Sequence, residues 1–268
     1  MATIQWYPGH MHKAQRQLQE NLPLIDVVVE VLDARLPEAS RNPLLAEIIG
    51  RKPRVVLLNK ADLADPVLTK QWISRLQAET PYVLALDTQH HTNVSQLVKV
   101  IKQAGQAAGK QFLRVAIVGV PNCGKSTVIN KLIGKKRAVT GNRPGVTQGQ
   151  NWLKTAHQLQ ILDTPGILWP KFSDQEVGYK LAACGSIKDT VFASDDVALY
   201  ALEFLKKYYP KNLAAFSRLT SDQLAQPMPE VLLAMTQKYG MRDDYERFSL
   251  FFLQQLRRGK LGRVTFDR

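Results

Sequence analysis

A chain of 268 residues is long enough to bury a real core, as one large domain or two modest ones. With 45% hydrophobic and 22% charged residues it has the composition of a soluble globular protein, and no apolar run approaches the ~20 residues of a membrane-spanning helix. Thirty-six Lys and Arg against 23 Asp and Glu leave a formal charge of +13, the balance of either a protein with a polyanionic partner, such as nucleic acid or an anionic membrane surface, or a generically basic exterior.

The opening residues Met1–Trp6 carry neither a secretory nor a transit pattern. Cys123 and Cys184 lie far apart and in no metal-ligand spacing, which suits a reduced interior; a cytoplasmic location is expected. In chain order, a helical pattern covers Met11–Asn21 and a β-branched run covers Asp26–Asp33. Further strands are predicted at Arg54–Asn59, Tyr82–Leu86, Arg114–Val120, Asn151–Thr155 and Leu159–Asp163, with helices at Val67–Glu79, Val94–Ala107 and Lys125–Leu132. This alternation predicts an α/β domain with a mostly parallel sheet and helices on both faces. After Pro170 only helical signals follow. Asp195-Asp196 is read as the cap of one helix, Pro229 as the start of a second, and Asp243-Asp244 as the opening of a third. The expected organisation is a domain over 1–173 followed by a small all-α domain over 174–268.

Gly119-Val-Pro-Asn-Cys-Gly-Lys-Ser126 matches G-x-x-x-x-G-K-S, after an apolar strand and before a helix. In such a P-loop, backbone N–H groups across Asn122, Cys123, Gly124, Lys125, Ser126 and Thr127 surround phosphate at a helix N-terminus. Lys125 neutralises β and γ oxygens, and Ser126 offers its hydroxyl to Mg²⁺. Asp163-Thr-Pro-Gly166 ends a strand about forty residues on, the D-x-x-G arrangement in which Asp163 faces the metal and the Gly166 N–H meets the γ-phosphate.

Asn59-Lys60-Ala61-Asp62 ends another strand, at the rim where such sheets bind ligands. N-K-x-D reads guanine: the Asp62 carboxylate accepts from N1–H and the exocyclic amine, while Asn59 faces N7. Adenine presents an acceptor at N1, and a buried mismatch of that kind discriminates by roughly 10⁴-fold. A second base-proximal loop is placed at Asp87-Thr-Gln89, where the Thr88 N–H would meet guanine O6. N-K-x-D here precedes the P-loop, the reverse of the usual GTPase order. Circular permutation keeps a sheet intact when the old termini were close, with Ala104–Lys110 as the splice.

The motif order, together with Trp6-Tyr-Pro-Gly-His-Met11, Asp33-Ala-Arg-Leu-Pro37, Gly166-Ile-Leu-Trp-Pro170 and Gly185-Ser-Ile-Lys-Asp189, resembles the bacterial ribosome biogenesis GTPase A family of circularly permuted GTPases. The resemblance covers nearly the whole chain. It implies a circularly permuted P-loop GTPase domain followed by the all-α domain, GTP and GDP as ligands, and a role in late assembly of the large (50S) ribosomal subunit with binding to its rRNA. It also implies that Thr147 ligates Mg²⁺ in the GTP state and that Asn122 helps hold K⁺. Ile167 stands where many GTPases place a water-orienting glutamine, and an aliphatic side chain cannot do that work. By resemblance, His10 is the substitute.

Basic residues cluster at Lys131, Lys135, Lys136, Arg137 and Arg143, and again at Arg257, Arg258, Lys260, Arg263 and Arg268, as phosphate contacts would require. The expected partners are the large subunit, its rRNA and ribosomal proteins, with no membrane, for a monomeric protein. Two alternatives stay open: an RNA-binding assembly factor that uses GTP only as a structural ligand, and a signalling GTPase with a protein or membrane partner.

Overall fold

In the computed structural model, the described residues are 4–90, 94–134, 151–172 and 174–268. Strands β1 (Val27–Asp33), β2 (Arg54–Asn59), β3 (Val83–Leu86), β4 (Leu113–Val118), β5 (Asn151–Lys154) and β6 (Leu159–Asp163) form one sheet in the order β3-β2-β1-β4-β6-β5. Every pairing is parallel except β5 against β6. The strand that feeds the P-loop, β4, therefore lies between β1 and the strand that ends in Asp163.

Helices α1 (Gly9–Asn21), α2 (Pro43–Ile49), α3 (Pro66–Gln77), α4 (Val94–Ala104) and α5 (Lys125–Ile133) cover the sheet. Side chains alternate across a strand, so the two faces separate by residue parity. Val27, Val29, Val115 and Ile117 pack with α4 and α5 through Leu97, Ile101, Val128 and Leu132. Val28, Ala116 and Val118 turn the other way, onto Ala14 and Leu18 of α1 and Leu45 and Ile49 of α2. Leu32, Val56 and Leu58 on that face meet Trp72 and Leu76 of α3. Because both faces are covered, β1 is buried at every position.

Helices α6 (Gln175–Ala183), α7 (Ser194–Tyr208), α8 (Pro210–Ser217), α9 (Ser221–Ala225), α10 (Met228–Lys238) and α11 (Tyr245–Arg257) follow the sheet. The apolar cluster that holds one sheet face also contains Leu36, Val120 and Leu168, just past β1, β4 and β6. It continues into Leu181 of α6, Leu202 and Leu205 of α7, and Phe252 and Leu256 of α11. Asp195 and Asp196 occupy the first turn of α7 with Ala193 at the cap position, where their charge meets the positive end of the helix dipole. Asp244 caps α11 as expected, accepting from the Arg247 N–H at 3.0 Å. No helix among the described residues is long and apolar enough to cross a membrane.

Candidate functional site

The three motif-bearing stretches meet at the C-terminal ends of β2, β4 and β6. Asn59 is the hub. Its Nδ2 donates to the Cys123 carbonyl at 2.8 Å, and its Oδ1 accepts from the Thr88 hydroxyl at 2.7 Å. One buried amide thus ties the end of β2 to the P-loop on one side and to the loop after β3 on the other. Gly124 leaves room for this: a Cβ there would come within 2.0 Å of Asn59 Nδ2, and its φ of +102° suits glycine.

Lys60 makes a second bridge. Its Nζ donates to the Asn122 carbonyl at 2.6 Å and pairs with Asp33 at 2.9 Å. Asp33 is fully buried and also takes a two-pronged contact from Arg35, at 2.9 and 2.7 Å. Burial alone would push the Asp33 carboxyl up, but Arg35 and Lys60 outweigh it and hold the group well below the usual carboxylate range. Arg35 reaches on to the Cys184 carbonyl, 3.3 Å away in the turn after α6.

Asp62 sits past the bridge, beside the loop after β3. Burial and then the neighbouring Asp87 carboxylate push its pKa up. Asp87 accepts from the Gln89 and His90 N–H groups at 2.9 and 3.0 Å, a turn that fixes this loop. The His90 ring lies 3.2 Å from Asp87 and 3.7 Å from Asp62. Sequence reasoning gave His90 no role; its placement between two carboxylates emerges only when the loops are brought together.

At the phosphate end, Lys125 is buried at the start of α5 and its Nζ donates to the Val120 carbonyl at 2.8 Å, so the ammonium is held under the P-loop. Ser126 and Thr127 follow it in the first turn of the same helix. Asp163 ends β6 beside β4, and its Oδ1 is buried with no hydrogen-bond partner among the described residues. Burial raises this carboxyl to about 6, with Lys125 pulling the other way. An orphaned carboxylate oxygen near a buried ammonium and a helix N-terminus is what a hydrated Mg²⁺ beside phosphate would satisfy, so these residues fit that ion.

Gly166 lies against the P-loop; a Cβ there would come within 2.5 Å of the Pro121 Cα. The Ile167 N–H donates to the Gly119 carbonyl at 3.2 Å, and its own carbonyl accepts from Asn42 at 2.8 Å. Asn122, with a left-handed φ of 58°, donates from Nδ2 to the Gly185 carbonyl at 3.1 Å. The P-loop is therefore bonded directly to the turn after α6. His10 lies in the first turn of α1, its Nε2 buried without a hydrogen-bond partner among the described residues, and burial followed by Lys188 lowers its pKa. The structure places it near the Gly185–Asp189 turn and gives it no hydrogen bond to Lys125 or Asp163. Thr147, like Lys135, Lys136, Arg137 and Arg143, lies outside the described residues.

The C-terminal basic residues divide. Arg257 is internal: it pairs with Asp189 at 2.7 Å and donates to the Ala182 and Ala183 carbonyls. Arg268 lies over the Tyr208 ring, 4.5 Å from its centroid. Arg258, Lys260 and Arg263 are exposed.

Comparison with known proteins agrees with this geometry. A family model described as 50S ribosome-binding GTPase matches residues 114–228. The chain is 47% identical to the ribosome biogenesis GTPase A of Priestia megaterium over 280 residues, covering 99% of this chain and 96% of that protein. Among solved structures, GDP-bound TM YlqF matches with a TM-score of 0.71 at 30% identity, covering 94% of this chain and 99% of that one. GNP-bound YlqF from T. maritima matches with a TM-score of 0.65 at 30% identity, covering 96% and 98%.

Proposed function

Because the chain belongs to the ribosome biogenesis GTPase A family, we propose that this circularly permuted GTPase acts in large-subunit assembly, docking on rRNA with GTP bound and leaving after hydrolysis. The observation that carries the reading is the pair of direct bonds from the P-loop and the loop after β1 to the turn after α6: Asn122 to the Gly185 carbonyl and Arg35 to the Cys184 carbonyl. Whatever moves the P-loop or the Lys60–Asp33 pair also acts on the helical layer, which is the coupling a nucleotide-controlled docking surface needs. The family model's description and the exposed basic residues Arg258, Lys260 and Arg263 support a ribosomal, polyanionic partner.

The residue roles belong to the same proposal. Asp62 accepts from guanine N1–H and the 2-amino group, Asn59 turns its second amide hydrogen to N7, and the Thr88 N–H beside Asp87 meets O6. Ala61 continues the turn beneath the base. Backbone N–H groups from Asn122 to Thr127 surround the phosphates, and Lys125 exchanges its Val120 carbonyl for β and γ oxygens. Ser126, Asp163 and Thr147 would hold Mg²⁺, which when bound would supply positive charge beside the phosphates. The Gly166 N–H meets the γ-phosphate. His10 positions the attacking water, since Ile167 cannot, and subunit docking brings it to the site. Asn122 contributes to a K⁺ site whose charge acts where an arginine would otherwise be supplied in trans.

Cosedimentation with purified large subunits tests the proposal. The protein should pellet with subunits when loaded with a non-hydrolysable GTP analogue, stay in the supernatant with GDP, and lose binding as salt rises. Equal pelleting in both nucleotide states would remove the switch.

A further inference from the structure

Segment 259–268 has no regular secondary structure, yet Val264, Thr265, Phe266 and Asp267 are all buried. An irregular segment is buried only if its polar groups find partners elsewhere. Here those partners are concentrated on two loops, the one that carries Asp62 and the one after β1.

On the loop after Asp62, the Val264 N–H donates to the Leu63 carbonyl at 3.0 Å, and the Asp65 N–H donates to the Thr265 hydroxyl at 3.0 Å. Gly259 packs so closely on Leu63 that a Cβ would lie 2.7 Å from its Cδ2. On the loop after β1, the Phe266 N–H donates to the Arg35 carbonyl at 2.8 Å, and Asp267 Oδ2 accepts from the Glu38 and Ala39 N–H groups at 2.7 and 2.8 Å. The helical layer holds the segment from behind. Lys180 pairs with Asp267 at 3.1 Å, the Tyr209 hydroxyl accepts from the Thr265 N–H at 3.1 Å, and Phe266 packs on Phe204 with centroids 4.6 Å apart.

We propose that residues 264–267 are a positioning element for guanine recognition, clamping the Asp62–Asp65 turn at its far end from Asn59. Asn59 fixes where the turn begins, at the end of β2; the segment fixes where it leaves, just before α3. Asp62 lies between the two anchors. A carboxylate that must accept two parallel hydrogen bonds from one base edge needs both its position and its tilt held, and one anchor leaves the tilt free. Thr265 and Asp267 touch no base, so theirs is a positioning role that rests on Asp62 reading guanine.

The test compares GDP with inosine diphosphate, which keeps N1–H and O6 but lacks the 2-amino group. Titrations follow the full chain, a Thr265→Val variant, a Thr265→Ser variant and a chain lacking residues 264–268. The intact protein should prefer GDP over inosine diphosphate by about tenfold. Thr265→Val should weaken GDP by about threefold to tenfold while inosine diphosphate weakens less, so that the preference shrinks, and Thr265→Ser should restore it. Loss of 264–268 should erase the preference; if that chain does not fold, Thr265→Val decides. A segment that merely stabilises the fold would weaken both nucleotides equally and leave the ratio intact, which overturns the proposal. An intact protein without the preference would instead remove the reading of Asp62 itself, and the clamp with it.

Discussion

Burial raises the Asp163 carboxyl to about 6, and if this residue holds the divalent cation as proposed, protons and the cation would compete for the same oxygen near that pH. The native carboxyl is raised above its unfolded value, so between about 4 and 6 the folded state binds the proton more tightly and ionisation costs stability. A bound cation offsets that cost. Mg²⁺ affinity in the GDP complex should therefore be flat above about pH 6 and fall by up to about tenfold per unit below it, as read by Mg²⁺ titration of a fluorescent GDP analogue. Asp163→Asn should bind Mg²⁺ weakly at every pH and lose that slope. Asp62 makes a different prediction. Its acceptor pair matches the N1–H and 2-amino donors of guanine; xanthine replaces the amine by a carbonyl, which an amide can serve as donor. Asp62→Asn should lose GDP affinity by about 100-fold or more and gain relative affinity for xanthosine diphosphate, a preference that competition binding would register. A variant that still favoured GDP would place the base elsewhere.

Among the elements, the end of β1 does more than pair with its neighbours. Asp33 closes the strand, draws in Lys60 from the end of β2, and fixes Arg35, whose guanidinium bonds to the turn after α6. Removing the negative partner leaves two cations facing a neutral amide in a buried setting. Asp33→Asn should cost about 3–5 kcal/mol at neutral pH, measured as a lowered urea midpoint with the slope unchanged. Because the folded carboxyl is held below its unfolded pKa, that contribution is present above the unfolded value and disappears as pH falls through the folded one; the gap between native and variant should close only in strong acid. The motif letters D-A-R-L-P were visible in the sequence, but the triad was not, because its third member lies a strand away. All six strands expected from apolar and β-branched runs form, whether or not a motif follows them. The seven-residue α2 was passed over although Asn42 and Pro43 are a sound cap and first residue, since so short a helix has no repeated apolar period to read. The short α8 and α9 escaped for the same reason.

At the scale of the whole molecule, the helical layer, the sheet and the two nucleotide loops share bonds, so turnover should depend on what holds the helices. Phosphate release by the isolated protein should be slow and rise by at least about tenfold when large subunits and potassium are both present. Equal rates in sodium and potassium, with and without subunits, would dismiss activation by docking. The mostly parallel sheet was legible because strand and helix patterns alternate along the chain; the order β3-β2-β1-β4-β6-β5 was not, because it is set by packing between elements far apart in sequence. The buried 264–267 segment was not, because Val-Thr-Phe-Asp carries no period and its partners lie some 200 residues away in sequence. The sheet order has a further consequence during synthesis. The ribosome delivers β3, β2 and β1 as a block whose β1 edge is apolar and has no neighbour until residue 113 begins β4. Over that interval the nascent chain presents an open template for mispairing, at a stage when no phosphate loop exists through which nucleotide could brace it. Early packing of α1, α2 and α3 on one face and of α4 on the other can cover the half-built sheet but not its edge, so chains stalled before β4 should be the aggregating species.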